Sequence, residues 1–100
     1  MAIFTPEEGY FTQNEDKILW KLLYHGYTNP HRSTDIDNLR KGLKNVSKKE
    51  IKEFIKKCEK IGWGVQIPKK QKHFYLNPKA YPEIKKYLED KGFPVQFTRM

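Results

Sequence analysis

The residues best placed to do chemistry in this chain are lysines. Lys48, Lys49, Lys52, Lys56 and Lys60 recur at short intervals after Ser47, with Glu53 among them. Further on, Lys69, Lys70 and Lys72 surround Gln71. Side chains three and four apart share one face of a helix, so the first set can form a row of ammonium groups. An ammonium is a compact, strongly hydrated point charge, which suits phosphate oxygens. Bidentate base readout uses Arg on guanine and Asn or Gln on adenine, and none of these occurs between Ser47 and Ile61. Lysine contacts of this kind add affinity and salt sensitivity but little sequence information. Glu53 could accept from a cytosine amino group, and Gln71 could read a groove edge.

The distribution of charge supports the same chemistry. The net charge is +8, with 17 Lys and 3 Arg against 12 acidic residues. Residues 1–40 sum to −2, residues 41–72 to +8 and residues 73–100 to +2. A Lys-rich composition explains many lysines but not their clustering, and a clustered positive field attracts polyanions such as nucleic acid. A lysine-rich helix face is also what an ordinary solvated helix shows. The patch becomes informative only together with the second cluster.

Other constellations do not assemble. His25, His31 and His73 lie far apart, and the single Cys58 allows neither an internal disulfide nor a multi-cysteine zinc site. Glu7-Glu8, Glu15-Asp16 and Glu89-Asp90 are sequence neighbours, which does not give catalytic carboxylates a shared cleft. There is no glycine-rich phosphate loop. The expectation is a protein without catalytic residues, cofactor or metal. No run approaches the ~20 apolar residues of a membrane span, and residues 1–11 lack a signal-peptide pattern. A cytoplasmic protein with no membrane partner is expected.

The elements that must hold the lysines follow from periodicity. Residues 1–13 read as an arm that packs, 14–92 as one domain and 93–100 as a tail. Asn14 is a candidate N-cap, with Glu15 and Asp16 complementing the helix dipole. Ile18, Leu19, Leu22 and Leu23 carry that helix to His25-Gly26. A second helix opens at Ser33 or Thr34, with Asp35 and Asp37 in its first turn and Ile36, Leu39 and Leu43 inward. Ser47-Lys48-Lys49-Glu50 is a capping box. It opens a third helix whose stripe is Ile51, Phe54, Ile55, Cys58 and Ile61. That stripe turns Lys49, Glu53, Lys56 and Lys60 away from the core, with Lys52 and Lys57 flanking and Lys48 nearer the apolar side. Val65–Ile67 and His73–Leu76 read as strands joined by the basic loop 68–72. Pro82 suits the start of a last helix containing Ile84, Tyr87 and Leu88.

This order, three helices and then a β-hairpin and a short helix, resembles the winged helix-turn-helix superfamily. The resemblance rests on element order and spacing from about Asn14 to Asp90. It implies an α+β fold with a three-helix core, a recognition helix over Ser47–Ile61 that enters the major groove, and a wing over Val65–Leu76 that meets the backbone or minor groove. The implied function is double-stranded DNA binding of modest specificity, as in a transcriptional regulator, with RNA as another duplex partner. The site would comprise Ser47, Lys48, Lys49, Lys52, Glu53, Lys56, Lys60, Lys69, Lys70, Gln71 and Lys72. Homodimers of such domains often use the arm and final helix. Two alternatives stay open. One is a protein-interaction winged helix whose basic surface meets a protein. The other is a structured-RNA binder, since Lys72-His73-Phe74-Tyr75-Leu76 followed by Lys85-Lys86-Tyr87-Leu88 is similar to a eukaryotic small-subunit ribosomal protein of this fold.

Overall fold

The computed structural model describes residues 3–29, 31–43, 45–67 and 73–95. Within them the chain forms α1 (Gln13–His25), α2 (Ile36–Arg40), α3 (Lys48–Lys60), β1 (Gly64–Ile67), β2 (His73–Leu76), a 3₁₀ turn (Pro78–Ala80) and α4 (Tyr81–Asp90). The architecture is α+β, with four helices and a two-stranded antiparallel hairpin among the described residues.

Two helix starts differ from those expected. Asn14 lies inside α1, and Thr12 is the cap. Thr12 Oγ1 accepts from the Glu15 N–H at 3.1 Å, while Glu15 Oε1 accepts from the Thr12 N–H at 2.9 Å. A capping box satisfies two free N–H groups at once, which a lone Asn cap cannot do. The second helix opens after Asp35, whose carboxylate accepts from the Asn38 N–H at 2.7 Å. Thr34 cannot cap it, because its carbonyl, which a cap would offer to the first helical turn, is bonded to β2 instead. The Thr34 N–H donates to Phe74 O at 2.9 Å, and the Phe74 N–H donates to Thr34 O at 2.7 Å.

The strand β2 is therefore bonded along both edges. Its β1 partners run from Gly64 opposite Leu76 to Ile67 opposite His73, and the Asn77 N–H extends the ladder to Trp63 O at 2.9 Å. Its other edge carries Thr34 and, through the Leu76 N–H, Tyr27 O at 2.8 Å. Phe74 and Leu76 are buried while His73 and Tyr75 are half-buried, as period-2 alternation requires. A Cβ on Gly64 would sit 2.2 Å from Phe74 Cζ. Only glycine lets the Phe74 ring lie over β1 there.

The helix ends are closed by cations and by left-handed glycines. Gly26 (φ 72°) terminates α1, and the Arg32 guanidinium donates to His25 O at 3.0 Å and Gly26 O at 3.3 Å. Lys21 Nζ donates to the carbonyls of Asn38, Leu39 and Lys41 at the end of α2. Positive charge is stabilising at a helix C-terminus. The capping box of Ser47 and Glu50 opens α3 as expected, with Ser47 Oγ accepting from the Glu50 N–H at 3.1 Å.

The expected stripe of α3 is buried throughout, and α1 contributes Ile18, Leu19, Leu22 and Leu23. Phe54 meets Phe74 with ring centroids 6.2 Å apart. The arm does pack: Phe11 is buried within 6 Å of the rings of Phe54, Trp63 and Tyr87, and the Phe4 N–H donates to Ile61 O at 2.9 Å. Beyond α4, Phe93 stacks on Trp20 and Val95 is buried.

Candidate nucleic-acid interface

The capping box fixes where α3 begins, and the buried stripe fixes its rotation. Together they leave Lys49, Lys52, Glu53, Lys56 and Lys60 exposed on one side. Ser47 is exposed too, but its hydroxyl is engaged as the cap. Lys48 pairs with Asp37 of α2 at 3.2 Å, both side chains largely exposed. Such a pair is worth little and is weakened by salt. Lys69, Lys70, Gln71 and Lys72 lie outside the described residues.

The remaining lysine of the helix, Lys57, does different work. Its ammonium donates to Glu15 Oε1 at 2.7 Å and to Tyr10 O at 2.9 Å. The Tyr10 hydroxyl donates to Lys57 O at 2.9 Å. Glu15 is almost fully buried, so Lys57 neutralises a carboxylate that water cannot reach. Lys57 thus locks the arm and α1 onto α3. Among the described residues, Lys49, Lys52, Lys56 and Lys60 have no ion-pair partner within 4.0 Å.

A cleft of about 290 Å³ joins this face to the hairpin, lined by Ile36 of α2, Lys52, Ile55 and Lys56 of α3, and Gln66 of β1. Gln66 stands opposite Phe74, on the core-facing side of the hairpin, but is only half-buried. The structure therefore brings a carboxamide beside two open lysines. The helix itself offers no such group, and sequence reasoning missed Gln66. The available signal was its phase: two residues from Gly64, on the face that packs against α3.

Sequence reasoning also read Glu15 and Asp16 only as first-turn acids. Both are buried. Asp16 Oδ1 accepts from the Tyr87 hydroxyl at 2.5 Å, tying α1 to α4. Burial raises the Asp16 carboxyl above its ordinary range, against the opposing effects of the Tyr87 bond and nearby Lys91. Burial, and then the bond to Asp16, also raise the Tyr87 phenol. Asn14, though not the cap, donates to Glu50 Oε2 at 3.0 Å and so connects the two capping boxes. Thr12 and Glu15 were detectable, being spaced like Ser47 and Glu50.

Cys58 is buried on the core stripe, and burial pushes its thiol well above the ordinary value. Among the described residues no three His, Cys, Asp or Glu side chains converge, and no helix is long and apolar enough to cross a membrane. No protein-family model, curated protein or solved structure matches the chain.

Proposed function

We propose that this is a winged helix domain that binds duplex nucleic acid, DNA in the first instance, with α3 as its recognition helix and the hairpin as its wing. The observation that carries the reading is the division of the α3 lysines. Two are tied to carboxylates, and Lys49, Lys52, Lys56 and Lys60 are left open on one exposed side. The cleft through Gln66 makes that side continuous with β1, so a helix and a hairpin can meet one polyanion together. Supporting the winged helix reading is β2, bonded to β1 on one edge and to Thr34, just before α2, on the other. Lysines recognise phosphate by charge, so binding is broad in sequence and steep in salt.

The test is a mobility-shift titration with two unrelated DNA duplexes at low and moderate salt, with a structured RNA as competitor. Binding of both duplexes with a steep loss on adding salt supports the proposal. Preferential competition by the RNA moves the function to structured RNA on the same face. Weak binding that is indifferent to salt would leave the lysines as a solvated surface and end the nucleic-acid reading.

A further inference from the structure

A second surface, separate from α3 and the hairpin, has the chemistry of a protein-docking site. Between α1 and the turn after α2 runs a groove of about 390 Å³, inside the roughly 300–1,000 Å³ range of ligand pockets. Trp20, Tyr24 and Leu43 give it apolar walls, and Lys17, Lys21 and Lys41 stand around it. No carboxylate among the described residues lines it. Trp20 is half-buried, stacked on Phe93 with centroids 5.7 Å apart, and Tyr24 lies beside it at 5.5 Å. Tyr24 is 44% exposed, one of two large hydrophobic side chains that stand out on the described surface.

We infer that this groove docks an acidic segment of a partner protein that inserts an aromatic or aliphatic anchor against Trp20 and Tyr24. Charge complementarity sets the sign of the partner. Lys17 and Lys41 are exposed, whereas Lys21 is turned into the carbonyls that end α2. Burial and the neighbouring Lys41 both lower the Lys21 ammonium, so a carboxylate arriving here would relieve repulsion between the two. The aromatic walls set the kind of anchor, since interface hot spots favour Tyr and Trp meeting an apolar side chain in a pocket. A nucleobase fits less well, because it needs open ring faces for stacking. One face of Trp20 is taken by Phe93 and its flank by Tyr24. Among the described residues, none that lines it belongs to α3 or to the hairpin, so the groove is distinct from the α3 face.

The full chain is titrated with a Glu/Asp-rich peptide carrying Leu and Phe four residues apart, while amide NMR shifts and tryptophan fluorescence are followed. Trp63, fully buried, is a constant background to Trp20. The expected result is shifts at residues 17–25 and 41–43. Affinity should fall about 10-fold or more in Tyr24→Ala and about 5-fold in Lys41→Glu, both exposed positions. The same peptide with Ser in place of Leu and Phe should bind much more weakly. Several results would overturn the inference: shifts confined to α3, equal binding of the Ser peptide, or tighter binding of a single-stranded oligonucleotide in the groove. Concentration-dependent shifts at these residues without peptide would also overturn it, by assigning the groove to a second copy of the chain.

Discussion

Replacing Lys49, Lys56 and Lys60 together by Ala tests the proposed interface on a quantity that can be worked out beforehand. Four lysines of α3 are open, because Lys48 is held by Asp37 and Lys57 by Glu15. If each open lysine neutralises one phosphate, log affinity falls against log salt with a slope of about −3.6, at roughly −0.9 per contact. Raising salt from about 50 to about 200 mM then weakens the wild-type helix contribution roughly 150-fold. The triple variant keeps only Lys52, for a slope of about −0.9 and a weakening of roughly 3.5-fold. Contacts from elsewhere, including Lys69, Lys70 and Lys72, add equally to both proteins, so the slope difference of about 2.7 survives them. Fluorescence anisotropy with two unrelated duplexes measures both slopes. The three positions are exposed and Ala is the best helix former, so the variant should melt like the wild type. A folded variant with the wild-type slope would remove α3 from the interface.

Four further outcomes are expected. Ser47→Ala loses the capping box and should cost about 1 kcal/mol in denaturant titration; an unchanged midpoint would mean the cap contributes nothing to the register of α3. Gly64→Ala forces a Cβ into the Phe74 ring and should destabilise by about 1–3 kcal/mol, visible as a lower melting temperature. Glu53→Gln removes a negative charge from among the open lysines and should tighten binding to any duplex at low salt; loss confined to cytosine-containing sites would instead make Glu53 a base reader. For Asp16 the folded carboxyl is raised, so the native state holds its proton to higher pH than the unfolded chain. The resulting stability is full below about pH 3.9 and falls as pH rises through the folded value. Asp16→Asn keeps an acceptor for Tyr87 and should flatten that fall; parallel wild-type and variant stability curves between pH 4 and 7 would refute it.

What was legible in the sequence was what depends on neighbours in the chain. The 3.6-residue stripe of α3, the Ser47–Glu50 box, the Gly26 stop and the alternation in β2 are local patterns, and each placed its element. Apart from the start of α1, where the local Thr12–Glu15 box was passed over for Asn14, the errors came where a distant segment decided the outcome. Thr34 has a good capping side chain, but its backbone bonds to Phe74 forty residues away, which takes the carbonyl a cap needs and leaves the cap to Asp35. Glu15 and Asp16 look like solvated first-turn acids until Lys57 and Tyr87 are brought against them. Gln66 reads as an ordinary strand residue, since nothing local says that α3 leaves a cleft beside it.

The same long-range contacts change what the charge of the sequence means. Residues 1–40 sum to −2 and residues 41–72 to +8, which suggests two separate fields. Folding instead brings acids of the first segment onto particular lysines of the second: Glu15 onto Lys57, inside the protein, and Asp37 onto Lys48, at its surface. These two pairings have different consequences. Lys57 leaves the electrostatic face because a buried carboxylate without its cation is strongly destabilising. Lys48 is held only by an exposed pair that a phosphate can displace at little cost. On the proposed function, Lys48 would be a reserve contact at the start of α3, where helix N-termini favour anions. The open face is thus set by which lysines the arm, α1 and α2 take, and counting lysines along the chain cannot reveal that selection.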